Sequence, residues 1–208
     1  MTSSDFTYEL HRGDLPAGVT FGDSVAVDTE TMGLLPARDR LCLVQLSAGD
    51  GTAHLVKLAA GDYAAPNLRA VLADPKVTKI FHFARFDLAV LRHYLGVRVA
   101  PVYCTKVASK LVRTNSDRHG LKDLCRDLLG VDLSKEQQTS DWGADEVNEA
   151  QCRYAAQDVL YLHRLRAVLD ARLAREGRGD LARACFDFLP ARAEMDLAGW
   201  GEDLLTHH

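Results

Sequence analysis

Short unbroken apolar runs separated by polar turns open the chain, and a helical spacing takes over further on. Ser24-Val25-Ala26-Val27-Asp28-Thr29 is an apolar run between turn residues, which predicts a buried strand. After a polar turn over 33–40, Leu41–Ser47 predicts a second strand, Gly49-Asp50-Gly51 a hairpin turn, and Thr52–Leu58 a returning third strand. Residues 1–22 are mixed and Gly-rich and predict an edge segment or short strand leading in. From Pro66 the period changes: Leu68, Val71 and Leu72 mark a short helix that Pro75 ends. Thr78–Phe83 predicts a strand, Phe86–Leu95 a helix closed by Gly96, and Val102-Tyr103-Cys104 a brief strand. Thr105–Arg113 and Gly120–Leu129 predict two helices, and 131–143 a polar loop. Strong helix formers with apolar spacing run from Asp145 to about Ala174, where Gly177 and Gly179 interrupt them. Residues 180–208 predict a helix and an irregular tail carrying Phe186, Phe188, Leu189, Leu197 and Trp200, which pack onto the domain itself or against a neighbouring subunit. A strand meander followed by alternating helix and strand predicts an α/β layer fold with a mixed sheet flanked by helices. No repeat or low-complexity stretch divides the chain, so 1–208 is expected to be one domain.

Composition narrows this picture. The 208 residues are 47% apolar and 26% charged, which supports a sizeable buried core and argues against disorder. No apolar run approaches the roughly 20 residues that cross a bilayer, and Met1–Asp14 lacks an apolar secretory segment. The five cysteines are scattered, with no Cys-x-x-Cys, as expected of reduced thiols in a cytoplasm. The net charge of −4 does not announce a protein that tracks long nucleic acid. It leaves room for a small anionic substrate on a local basic patch, or for metal-binding carboxylates.

Three acidic features then stand out. In Val27-Asp28-Thr29-Glu30-Thr31 an apolar strand ends in two carboxylates two residues apart, which extended geometry turns to the same face. In Phe81-His82-Phe83-Ala84-Arg85-Phe86-Asp87 a strand runs straight into a helix whose first turn holds Asp87. In Tyr154-Ala155-Ala156-Gln157-Asp158 a tyrosine and an aspartate lie one turn apart on one helix face. Each has a plain structural reading taken alone: a solvated strand end, a helix-start acid, a surface pair. Together, four acids and a tyrosine make a constellation suited to Mg2+ or Mn2+, hard cations that take oxygen ligands. A pair of such ions about 3.5–4 Å apart is the usual machinery for in-line attack on a phosphodiester.

Asp28-Thr29-Glu30-Thr31, His82-Phe83-Ala84-Arg85-Phe86-Asp87 and Tyr154-x-x-x-Asp158 resemble the three motifs of the DEDD 3′→5′ exonucleases, in the tyrosine subclass typified by RNase D. The histidine subclass would carry His where Arg153 stands. Gly120-Leu121-Lys122-Asp123-Leu124 and Ser134–Trp142 also resemble RNase D. RNase D continues into helical nucleic-acid-binding domains, whereas the length, the Asp117-Arg118-His119-Gly120 segment and the tail from Phe186 to Trp200 resemble the short nanoRNase C proteins of alphaproteobacteria. The resemblance implies an RNase H-like, DnaQ-type exonuclease fold, removal of very short RNA fragments down to dinucleotides, and a homo-octamer. It implies that Asp28, Glu30, Asp87 and Asp158 hold two divalent cations, Mg2+ or Mn2+, with Asp87 at the ion nearer the leaving oxygen. Tyr154 would orient the attacking water, since a free phenol with a pKa of about 10 is a poor base at neutral pH.

Substrate contacts are expected from Thr31 and Gly33, from Leu34 as an apolar wedge between bases, and from His82, Phe83 and Arg85. A basic cluster of Lys106, Lys110, Arg113, Arg118, His119 and Lys122 would form a phosphate-binding rim. Lys135, Gln138, Ser140 and Trp142 sit in a long polar loop, a frequent place for function, with Trp142 as stacking platform or buried anchor. The substrate expected is short single-stranded RNA. The alternatives are a broader exonuclease on DNA or structured RNA, and an inactive nucleic-acid-binding scaffold. The second alternative sits poorly with five intact site residues.

Overall fold

The computed structural model describes residues 6–134, 137 and 139–201. Six strands form one sheet: β1 (Thr7–Arg12), β2 (Ser24–Thr31), β3 (Leu41–Ser47), β4 (Thr52–Lys57), β5 (Thr78–Phe81) and β6 (Val102–Cys104), in the order β1-β4-β3-β2-β5-β6. The meander β2-β3-β4 is antiparallel, while β1 joins β4, and β5 and β6 extend from β2, in parallel. The sheet is therefore mixed, as the sequence pattern predicts. All seven residues of β3 are buried, and successive side chains point to opposite faces, so layers cover the sheet on both sides there. That is why Leu41–Leu46 reads as a near-continuous apolar run with no strict alternation.

The helices are α1 (Pro66–Ala73), α2 (Ala84–Leu95), α3 (Thr105–Val112), α4 (Leu121–Leu124), α5 (Glu149–Leu160), α6 (Leu162–Arg175) and α7 (Gly179–Leu197). The single long helix expected from Asp145 is in fact two helices, α5 and α6, that break at Tyr161. Its start is set by a capping box: the Asn148 side chain accepts the Gln151 N–H, and the Gln151 side chain accepts the Asn148 N–H. The helix predicted over 120–129 begins as α4 and widens into a π turn over Cys125–Leu129, closed by Gly130 in the left-handed region. The strand predicted over 78–83 stops at Phe81. Phe83 takes φ 69°, the left-handed region that non-glycine residues avoid, and this turns the chain directly from β5 into α2. None of the described helices is long and apolar enough to cross a membrane. The five cysteines are free thiols, four of them buried.

Two details anchor the frame around the site. α5 packs on β2, β3 and β4, and α7 packs on α2. Lys79 of β5 is fully buried, with its ammonium donating to the carbonyls of Asp74, Val77 and Ala100 at 2.7 Å each. Burial pushes its pKa down to about 8. The three carbonyls replace the water that a lysine head group needs, and they pin the start of β5 to the two loops beside it.

Candidate active site

β2 presents Asp28 and Glu30 on one side, as their spacing requires, and α5 lays Asp158 across them. One oxygen from each of these three carboxylates lies within 4.8 Å of the others. Asp87, in the first turn of α2, is buried beside them and accepts a hydrogen bond of 2.6 Å from the Thr29 hydroxyl. Thr29 sits between the two β2 acids, so its bond to Asp87 ties α2 to the strand that carries them. Gln45 of β3 lies opposite Asp28 in the sheet register and donates to Glu30 Oε1 at 3.4 Å.

These four acids are held near one another against their own charge. Burial, then Asp87, Asp158 and Glu30, push Asp28 well above the ordinary carboxylate range. Burial, then Asp158 and Asp87, do the same to Glu30, with Gln45 opposing. Burial raises Asp87 to about 7 against the Thr29 hydrogen bond. Burial raises Asp158 to about 7, opposed by the Tyr154 hydroxyl. No Lys or Arg among the described residues offsets any of the four. Clustered oxygen donors without a counter-charge are the donor set of a hard divalent cation, so the residues fit the expected ions. The Tyr154 hydroxyl is raised by burial and by Asp158, Glu30 and Asp28, and at neutral pH it is a protonated hydrogen-bond donor.

Asp28, Glu30 and Asp158 line a cleft of about 700 Å3, within the size range of a small-ligand site, and Asp87 is buried beside them. Of the sequence-predicted contacts, Thr31, Gly33, Leu34, His82, Phe83 and Lys106 line this cleft, as do Ser140 and Trp142. Leu34 is 83% exposed at its mouth. The turn beneath it depends on Asp39, which accepts the Leu35 N–H and is drawn down to about 2 by Arg38. A Cβ on Gly33 would run into the Asp39 carboxylate, so a larger residue there would displace the side chain that holds this turn. His82 donates or accepts at Thr105 Oγ1 over 2.9 Å, and burial, with Lys106 nearby, lowers it to about 3, so it is neutral. Lys106 lies 4.2 Å above the Phe83 ring, joining charge to an exposed aromatic at the rim. Trp142 is buried and tilts toward Tyr154, ring centres 6.2 Å apart. Its backbone is gripped by Lys57, which donates to the Trp142 carbonyl at 2.7 Å.

Four predicted contacts do not line the cleft of this chain. Arg85 does not line the cleft: it makes a bidentate pair with Asp196 of α7 at 2.6 and 2.8 Å. Arg113 is buried, donating to Asp127 at 2.7 Å and to the Arg118 carbonyl at 2.6 Å, and these bonds consume the fork a phosphate would need. His119 faces Ser109 at 2.8 Å and Arg118 is exposed, and neither lines the cleft. From the basic cluster only Lys106 and Lys122 reach the cleft wall within this chain. Lys135 and Gln138 lie outside the described residues. The sequence reading missed Thr29, Gln45 and Asp39. Gln45 carried a signal, being the amide in an otherwise apolar strand; Asp39 carried none.

This geometry is a carboxylate cluster suited to divalent cations, and comparison with known proteins places the chain among the exonucleases. A family model described as 3′-5′ exonuclease matches residues 5–174, and the chain belongs to that family. Ribonuclease D of Gluconacetobacter diazotrophicus is 39% identical over 156 residues, covering 75% of this chain and 39% of that protein. The chain thus spans about two fifths of the length of that relative. Among solved structures, Brucella melitensis NrnC bound to pGG is 56% identical with a TM-score of 0.94, covering 98% of this chain and 100% of that one. Brucella melitensis NrnC with bound Mg2+ is 56% identical with a TM-score of 0.93 over 98% of this chain and 100% of that one. The fold is accordingly the RNase H-like, DnaQ-type exonuclease fold.

Proposed function

We propose that this protein is a 3′→5′ exoribonuclease that degrades very short RNA, dinucleotides above all, to nucleoside 5′-monophosphates. The observation that carries the reading is the gathering of Asp28, Glu30 and Asp158 with Tyr154 on the wall of a cleft of limited size, with Asp87 buried beside them. A site for two nucleotides needs few phosphate contacts, which suits a chain of net charge −4 with Lys106 and Lys122 on the cleft wall. The binding of pGG by a protein 56% identical over nearly the whole chain supports the same length.

Divalent ions, when bound, supply an acidified water nucleophile and neutralise charge at the phosphorus. Asp28, Glu30 and Asp158 would hold them from β2 and α5, joined by Asp87 from α2. Thr29 and Gln45 fix the rotamers of Asp87 and Glu30 by hydrogen bonds. The Tyr154 hydroxyl, kept protonated by its acidic surroundings, orients the attacking water by donating or accepting a hydrogen bond. Leu34 at the mouth offers an apolar surface against a base, and the Lys106–Phe83 pair offers charge and a stacking face at the rim.

The test is product analysis over time with 5′-labelled RNAs of two to ten nucleotides in Mg2+ or Mn2+. The expected result is release of 5′-monophosphates, fastest from the dinucleotide. Equal rates on a dinucleotide and a ten-mer sink the short-substrate reading, and no monophosphate with either ion sinks the exonuclease reading. Tyr154→Phe should retain metal binding and slow single-turnover hydrolysis on the order of 10²-fold; an unchanged rate removes its role. The reading also carries a homo-oligomer, octameric by resemblance, with Phe188 and Trp200 of the tail 39% and 58% exposed. A monomer in light scattering at micromolar concentration would exclude that assembly.

A further inference from the structure

Far from the cleft, the parallel pairing of β1 with β4 sets Glu9 in register with His54. His11, two residues beyond Glu9, falls on the same face of β1. The three side chains meet at one point. His11 Nε2 and His54 Nδ1 are 3.0 Å apart, and Glu9 Oε2 is 3.8 Å from the first and 3.6 Å from the second. A triangle with those sides has a circumradius of about 2.0 Å, the length of a Zn–N or Zn–O bond. The nitrogen pair alone would make an ordinary hydrogen bond; the carboxylate oxygen, equally reachable from the same centre, completes a three-ligand set. Both imidazoles are largely sheltered, with 12% and 16% of their side-chain surface exposed, whereas Glu9 is 59% exposed and leaves one side open to water. Phe21 packs edge-on against His54 at 5.7 Å and steadies that ring.

We propose that Glu9, His11 and His54 form a metal site, separate from the nuclease centre, that takes a borderline transition ion of the Zn2+ class and clips edge strand β1 onto β4. Two imidazoles and one carboxylate select such an ion over Mg2+, which prefers octahedral oxygen. Three protein ligands plus water complete four-coordination. An ion bound here ties together residues 43 positions apart across the parallel pair, and it stabilises the folded chain by mass action.

The full chain is titrated with Zn2+ while Mg2+ is held in large excess to occupy the cleft acids. Affinity is read by competition with a chromogenic chelator, and Co2+ replaces Zn2+ for visible absorption. The expected result is a Zn2+ site that excess Mg2+ does not displace, a rise in Tm, and a Co2+ spectrum of nitrogen ligands. His54→Ala should weaken Zn2+ at least about tenfold and abolish the Tm rise, with hydrolysis in Mg2+ unchanged. Glu9→Gln, at an exposed position that folding tolerates, should weaken Zn2+ in the same direction. Wild-type protein that binds no Zn2+ in excess Mg2+, or both variants binding within twofold of wild type, overturns the proposal.

Discussion

Two groups of buried charge lie on neighbouring strands of this sheet and are treated in opposite ways. Lys79 at the start of β5 is enclosed and fully answered: three carbonyls meet its ammonium at 2.7 Å. At the end of β2, Asp28 and Glu30 crowd against Asp158 and Asp87 with no cation among the described residues to answer them. The first arrangement minimises the cost of burying a charge; the second keeps that cost until a ligand arrives. A fold tolerates such local expense where it serves chemistry, and satisfies its polar groups elsewhere.

The largest expected effect attacks the unanswered side. Asp28→Asn or Asp158→Asn should cut turnover on the order of 10³-fold or more while leaving the circular-dichroism spectrum intact. Because each replacement removes one like charge, the metal-free variant should melt at or above the wild-type temperature. Near-wild-type hydrolysis, or a metal-free variant that melts well below wild type, would mean that the acids are a structural network.

The answered side should behave in reverse. Lys79→Met strips three buried carbonyls of their donor, which should cost about 3 kcal/mol and lower Tm by about 6–12 °C. The kcat of the folded fraction should not change. A loss of kcat with Tm preserved would bring Lys79 into the reaction and erase the contrast.

The smallest effect is a pH dependence. Asp87 and Asp158 titrate at about 7 in the folded chain, against about 3.9 when unfolded. The folded state therefore holds more protons between those values. In EDTA its stability is greatest below about pH 4 on account of these groups and is lost as pH rises through 7. Added Mg2+ binds the ionised acids, so it should raise Tm more at pH 8 than at pH 5.5. Scanning fluorimetry of wild type against Asp158→Asn isolates this contribution. An identical Mg2+ response at both pH values would show that the acids are already ionised and compensated.

Strand and helix periodicity determined much of this protein before any coordinates. The apolar runs of β2, β3 and β4 and the Gly49–Gly51 turn specify the meander. The two-residue spacing of Asp28 and Glu30 and the one-turn spacing of Tyr154 and Asp158 are local facts of extended and helical backbone, so they survive folding unchanged. Helix ends were legible where a cap is written in the chain, as at Gly96, and were misjudged at Asn148, whose capping box lay inside a longer run of helix formers.

Tertiary structure alone decided which charges are free. Arg85 and Arg113 look like their neighbours in the sequence, but one is claimed by Asp196 and the other by Asp127 and a backbone carbonyl. Gln45 meets Glu30 because β2 and β3 pair in one register, and His11 meets His54 because β1 joins β4 in parallel. Spacing along the backbone sets which face a side chain takes within its own element. Only the docking of one element on another sets what that face touches, and no local periodicity encodes it.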